Sequence, residues 1–194
     1  MAHAIPKIHY NIISKTGDTV ISNGTISNIS DTSLISVGQY VAGVGIPTTA
    51  TVQSKTSTTV VISPVATANG TAVALEFYNK IELDYPPVET TGEKLLPQER
   101  RSIALSGLSQ VSVDYVEGVR DLNFRFLSNT LYVALKAFYD GYAVFGDTFR
   151  YFDDKTSGTY NTYELKKFDW EPQKITARGT VYVWGLPLQF RRVV

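Results

Sequence analysis

At 194 residues the chain is long enough for one large domain or two small ones, and 43% hydrophobic content with 23 aromatic residues supplies a buried core, which excludes a disordered polypeptide. Eighteen basic residues against eighteen acidic ones leave no formal charge, which argues against DNA or RNA as the main partner, because phosphate binding needs a clustered excess of Lys and Arg. There is no cysteine, so disulfides, thiolate metal sites and cysteine nucleophiles are excluded together, and no run approaches the ~18–20 apolar residues of a membrane span.

Charge is distributed unevenly along the chain. Only Lys7, Lys15, Asp18, Asp31, Lys55 and Glu76 are charged in residues 1–79, and only Tyr10, Tyr40, Phe77 and Tyr78 are aromatic there; Thr, Ser, Val, Ile and Gly fill the rest. The expected organisation is a Thr/Val-rich β-module over 1–79 and an aromatic, charged α+β domain over 80–194. The fold class expected is mainly β / α+β: a small β-sandwich or barrel plus a β-sandwich-like domain with one flanking helix.

Met1–Lys7 shows no charged stretch followed by an apolar run, so no signal peptide is expected and synthesis in the cytoplasm is. Ile8, Tyr10 and Ile12 alternate with His9 and Asn11, which predicts a strand. Two arrangements fit: Ile5–Ile13 pairs with the second domain's sheet and the Thr-rich module is an insertion, or the two parts stand in tandem. Asp18–Ser22 and Thr25–Ile29 flank Asn23-Gly24, a pair suited to a type I′ hairpin. Tyr40–Ala42 and Thr49–Ser54 are strands separated by the Gly43-Val44-Gly45-Ile46-Pro47 turn, and Asn69-Gly70 lies between strands at Thr58–Ser63 and Thr71–Phe77.

Lys80–Tyr85 reads as a strand ended by Pro86-Pro87, followed by a long polar connection to Arg101. A structureless loop of that length is uncommon in a compact domain and is often functional. Leu95 and Leu96 within it are candidate anchors on another surface, with Pro97, Arg100 and Arg101 beside them. Strands are expected at Ile103–Leu105, Val111–Tyr115 and Leu122–Phe126. One helix follows, capped by Ser128 or Asn129, with Leu131, Leu135, Phe138 and Tyr142 on one face. Beyond it, Thr148–Phe152, Thr162–Phe168, Ile175–Trp184 and Leu188–Val193 are strands, with a turn at Asp153–Asn161 and another at Gly185-Leu186-Pro187.

Candidate chemistry is sparse. His3 and His9 are the two histidines, both near the N-terminus, and neither has carboxylates beside it to complete a metal site; they read as incidental surface residues. Asp153-Asp154, with Asp147 nearby, could bind Ca²⁺ or act as a catalytic pair, but Asp-Asp-Lys-Thr-Ser-Gly is ordinary turn chemistry. Gly43-Val44-Gly45 lacks the third glycine and the following helix of a nucleotide loop. Arg100-Arg101 and Arg191-Arg192 read as salt-bridging or interface pairs. Phe149, Tyr151, Phe152, Tyr160 and Tyr163 could stack on carbohydrate, though core packing explains them more simply. Accordingly no catalytic residue, metal site or cofactor is expected.

The stretch Ser33-Leu34-Ile35-Ser36-Val37-Gly38-Gln39-Tyr40-Val41-Ala42-Gly43-Val44-Gly45-Ile46-Pro47, continuing through Thr51-Val52 and Thr58-Thr59-Val60-Val61-Ile62-Ser63 to Ala66-Thr67, resembles a module of tailed-bacteriophage structural proteins. The chain departs from that pattern at Thr48-Thr49, where a small residue and glycine are usual. The second half is similar to minor tail proteins with a tail-tube or distal-tail fold, on the run Gly146–Asp154 followed by Tyr163-Glu164-Leu165-Lys166. The resemblance implies a non-enzymatic virion protein, a tail or tail-tip ring subunit that self-assembles and contacts other virion proteins, with no direct nucleic-acid contact. A carbohydrate- or host-surface-binding module and a head or neck structural protein are the alternative readings.

Overall fold

The computed structural model describes residues 4–89, 93–103, 109–166, 170, 172–178 and 181–193. The chain divides into two compact units, residues 9–80 and residues 1–8 with 81–194. The N-terminal segment therefore belongs with the C-terminal part, and the Thr-rich part is inserted between them. Among the bonds that hold that segment, Lys155 N–H donates to Ile5 O (2.6 Å), Leu83 N–H to Pro6 O (3.2 Å), and Lys7 Nζ to Lys155 O (2.7 Å).

The inserted unit is built from β1 (Lys7–Thr19) after its first two residues, β2 (Thr25–Ile26), β3 (Tyr40–Gly43), β4 (Thr51–Lys55), β5 (Val60–Ser63) and β6 (Gly70–Glu82) up to its last two residues. Val, Ile and Thr suit these positions because branched side chains pack well on a half-buried pleated surface. Hydrogen-bonded neighbours run β2-β5-β4-β3-β6-β1. Reciprocal bonds between Asp18 and Ser27, 2.8 and 3.0 Å, bring the far end of β1 back beside β2. The strands thus close on themselves as a small barrel, which leaves few unpaired sheet edges. Inside lie Ile13, Ile26, Ile35, Val41, Val52, Val60, Ile62, Leu75 and Phe77, all buried.

Several local expectations give way here. Asn23-Gly24 is not a two-residue hairpin: β2 pairs with β5, and the positive φ falls on Ser22 (62°) in a turn closed by Asn23 N–H to Val20 O (3.0 Å). Gly24 is needed for a different reason, since a Cβ there would stand 2.7 Å from the Ile62 carbonyl oxygen. Nor does Asn69-Gly70 join paired strands, because β6 pairs with β3 while β5 pairs with β4 and β2. The expected strand Thr71–Phe77 and the first part of the expected strand Lys80–Tyr85 are one continuous β6, which ends at Glu82. The Gly43–Pro47 turn does separate β3 and β4, with Gly45 at φ 75°. His9 is buried, not superficial, and stacks on Tyr78 with ring centroids 4.1 Å apart; His3 lies outside the described residues.

The other unit contains β7 (Val88–Glu89), β8 (Lys94–Ile103), β9 (Ser109–Leu127), α1 (Asn129–Gly141), β10 (Phe149–Phe152), β11 (Asn161–Leu165), β12 (Gln173–Arg178) and β13 (Val181–Arg192). Its strand order is β10-β11-β13-β9-β7, with β12 added to β13 and β8 to β9. The Ser128 hydroxyl caps α1 by accepting from Leu131 N–H (3.2 Å), satisfying one of the donors a helix start leaves open. Leu131, Leu135, Phe138 and Tyr139 are buried, and Phe138 meets Phe149 edge-on at 5.2 Å. Phe190 sits among Phe124, Phe149, Tyr151 and Tyr163 and is fully buried, so the aromatic set read as core or carbohydrate platform is core except for Tyr160, which is 42% exposed.

Two further expectations are corrected. Val111–Tyr115 and Leu122–Phe126 lie in one 19-residue strand, β9. Gly185-Leu186-Pro187 makes no turn, because β13 continues through it, paired with Leu127 to Val119 of β9 across a register shift between Trp184 and Leu186. Pro187 lies between the described β12 ladder, which ends at Gly185, and the described β11 ladder, which starts at Phe190, and it is exposed, where a missing N–H does little harm. The actual hairpin in this region joins β12 to β13.

Candidate functional site

The segment from Pro86 to Arg101, expected as a structureless loop, carries β7 and most of β8. β8 pairs antiparallel with β9 from Lys94↔Val119 to Ile103↔Ser109. The β13 ladder on β9 stops at Val119, so from Gly118 back to Ser109 the described ladders of β9 run to β8 alone. The result is a two-stranded ribbon extending beyond the sheet. Polar composition and Pro97 concealed it: Pro cannot donate to a ladder, but β8 is an edge strand, where one side needs no donors.

All five residues singled out from the sequence fall in this one strand. Leu95 stands opposite Gly118, Leu96 opposite Glu117, Pro97 opposite Val116, Arg100 opposite Ser112 and Arg101 opposite Val111. Successive residues of a strand face opposite ways. Leu95 and Leu96 therefore lie on different faces, and they are 70% and 38% exposed. They cannot form a single joint anchor, but each is available to a different neighbour.

Arg191 and Arg192, read from the sequence as a salt-bridging or interface pair, do form salt bridges, in a charge cluster where the ribbon leaves the body whose acidic members the sequence reading did not name. Glu117, with 5% of its side chain exposed, holds Lys166 Nζ at 2.8 Å and Arg191 Nε at 3.6 Å, while Arg191 also pairs with Glu164. Lys94 pairs with Asp121 at 3.2 Å, and Arg192 Nη1 with Glu93 at 3.3 Å. The Gln189 amide, followed by Lys94, holds the Asp121 carboxyl below its ordinary range. The advance signals were the Arg191-Arg192 pair and the charged residues Glu117, Arg120 and Asp121 of one strand; which partners they meet depends on the β9–β13 register.

The other candidates have structural roles. Asp153 binds Arg120 (2.8 Å). Asp154 accepts from both the backbone and the hydroxyl of Thr156, an Asx turn that keeps its carboxyl below the usual range. Burial raises the Tyr163 hydroxyl above its ordinary value, against the pull of Arg120. Among the described residues, no three His, Asp or Glu side chains converge as a metal site and no helix is long and apolar enough to cross a membrane. Compared with known proteins, the chain matches no family model, no curated protein and no solved structure.

Proposed function

We propose that this chain is a structural component of a bacteriophage particle, a tail or tail-tip ring subunit that works by self-assembly and not by catalysis. The observation that carries the reading is the β8/β9 ribbon, which leaves the body through Gly118 and presents β8 as an outer edge. An isolated two-stranded ribbon is only marginally stable in water, so covering it is favourable. An open strand edge is also a template for pairing with another chain. Exposed Leu95 and Leu96 add apolar area on both ribbon faces. The likeness of residues 33–67 to phage structural modules and the absence of net charge, which weakens repulsion between copies, support the same reading.

Electron microscopy of the purified protein tests it, with rings or tubes expected and a uniformly small monodisperse particle counting against it. The double variant Leu95→Asp, Leu96→Asp should remain folded and monomeric and fail to join particles. Normal incorporation of that variant would overturn the ribbon's role.

One feature of the inserted unit favours a host-surface-binding role for that unit. Three loops meet at one end of the barrel through Ser22 N–H to Ala66 O (2.8 Å), Ala66 N–H to Asn23 O (3.1 Å) and Thr67 N–H to Gly45 O (2.8 Å). They expose Val20, Ile21, Val44 and Val65. Specific signal on a glycan array would favour this second reading.

A further inference from the structure

We propose that Glu93, Gly118 and Arg192 form an ionic latch at the root of the β8/β9 ribbon, which presets the ribbon's direction and opens when its charges are screened or removed. The relevance of this latch to assembly rests on the proposed function, but the latch itself belongs to the isolated chain.

Three features converge on one point of the backbone. First, Gly118 is where β9 passes from a strand with ladders on two sides to one whose described ladder is β8 alone. Second, the Glu93 carboxylate reaches Arg192 Nη1 with its two oxygens at 3.4 and 3.3 Å, joining the residue just before β8 to the end of β13. Third, a Cβ on residue 118 would collide with the Glu93 carboxylate oxygen and stand 3.2 Å from Arg192 Cβ. Glycine at this position therefore makes room for the carboxylate to cross the strand. The residue is buried, so its lack of a side chain is not a matter of exposure.

The neighbouring pairs reinforce the same joint from both strands. Lys94 to Asp121 ties the first residue of β8 to β9, and Glu117 ties β9 to Lys166 and Arg191. Among the described residues, acidic Glu93, Glu117, Asp121 and Glu164 stand against basic Lys94, Lys166, Arg191 and Arg192 in one cluster of opposite charges. Single exposed pairs contribute little, but Glu93 and Glu117 are only 24% and 5% exposed at the side chain, where water competes less. Salt screens the more exposed Arg192 and Lys94 members first. The latch is thus the salt-sensitive part of the joint, and the buried Glu117 pair is its fixed part.

Hydrogen exchange of the isolated full chain tests this, read at the amides of β8 and of residues 109–118 in low salt and in 1 M NaCl. In the wild type, high salt should speed exchange across the ribbon several-fold while the β13 amides opposite β9 keep their protection. Glu93→Gln should show the faster exchange already at low salt and little further response. The charge-swapped pair Glu93→Arg, Arg192→Glu should regain slow, salt-sensitive exchange. Gly118→Ala should resemble Glu93→Gln; because that variant risks misfolding, the Glu93 series alone decides. Equal ribbon exchange in the wild type and Glu93→Gln at both salt concentrations would overturn the latch. None of these readings requires rings to form, so a failure of the latch and a failure of the assembly role are separately visible.

Discussion

Replacing Phe190 with alanine removes a side chain that meets rings from three strands in the aromatic core of the unit comprising residues 1–8 and 81–194. Its ring lies 4.8 Å from Phe149, 5.8 Å from Tyr151, 6.0 Å from Tyr163 and 6.3 Å from Phe124, and none of it reaches solvent. Those neighbours stand on β9, β10 and β11, whose positions are held by ladders, so they cannot close in on the space left behind. Phe→Ala in such a core costs about 3–5 kcal/mol, and the poor scope for collapse places this site near the upper end, about 4–5 kcal/mol. With a urea slope of about 2 kcal/mol per molar, the midpoint falls by about 2 M. Phe190→Leu, which refills part of the space, should lose only about 1–2 kcal/mol. Urea titration followed by near-ultraviolet circular dichroism reads the aromatic core, and hydrogen exchange assigns the loss to β9 and β13. A loss below about 2 kcal/mol for the alanine variant, or loss of protection confined to residues 9–80, would refute the reasoning.

Two further outcomes concern the barrel. Lys55 Nζ donates to the carbonyls of Thr32 (2.9 Å), Ser33 (3.0 Å) and Ile35, acting as a cation built into the loop before β3. Lys55→Met keeps the stem and removes the donors, so it should destabilise by about 1–2 kcal/mol, measured by urea midpoint, with faster exchange at residues 33–36. The Asp18 carboxyl is held below its ordinary range first by the Ala72 N–H (2.7 Å) and then by the Asn28 amide (2.6 Å). A lowered folded-state value means that this contribution is complete above the unfolded value of about 3.9 and is lost as pH falls through that value toward the folded one. Barrel stability should therefore decline below about pH 4, and Asp18→Asn should flatten that decline; an unchanged acid profile in the variant would show that Asp18 contributes nothing to it.

The helix and the β3–β4 turn were legible because their signals are local. Ser128 caps with its own hydroxyl, the Leu131–Leu135–Phe138 stripe lies on adjacent turns, and Gly45 answers a backbone requirement at its own position. The ribbon was not legible, because nothing within Lys94–Ile103 demands a strand; pairing with β9 supplies it, and an edge tolerates Pro97. Gly185-Leu186-Pro187 carried turn residues yet lies extended, since the β9 ladder on its other side outweighs the local preference. Gly24 was read as a turn glycine when its role is contact with the Ile62 carbonyl, a neighbour 38 positions away.

By itself, then, the sequence determined a strand-rich chain with one helix, a Thr/Val-rich segment set apart from an aromatic one, and Leu95, Leu96, Pro97, Arg100 and Arg101 as residues to watch. Only the tertiary structure decided that residues 9–80 are inserted, that their strands close through Asp18 and Ser27, and that Glu93 crosses Gly118 to reach Arg192. The division has a physical reason. Propensity, capping and periodicity act over a few residues, whereas strand partners, register and ion pairs are settled between segments far apart in the chain, where packing and not local preference determines which arrangement has the lower free energy.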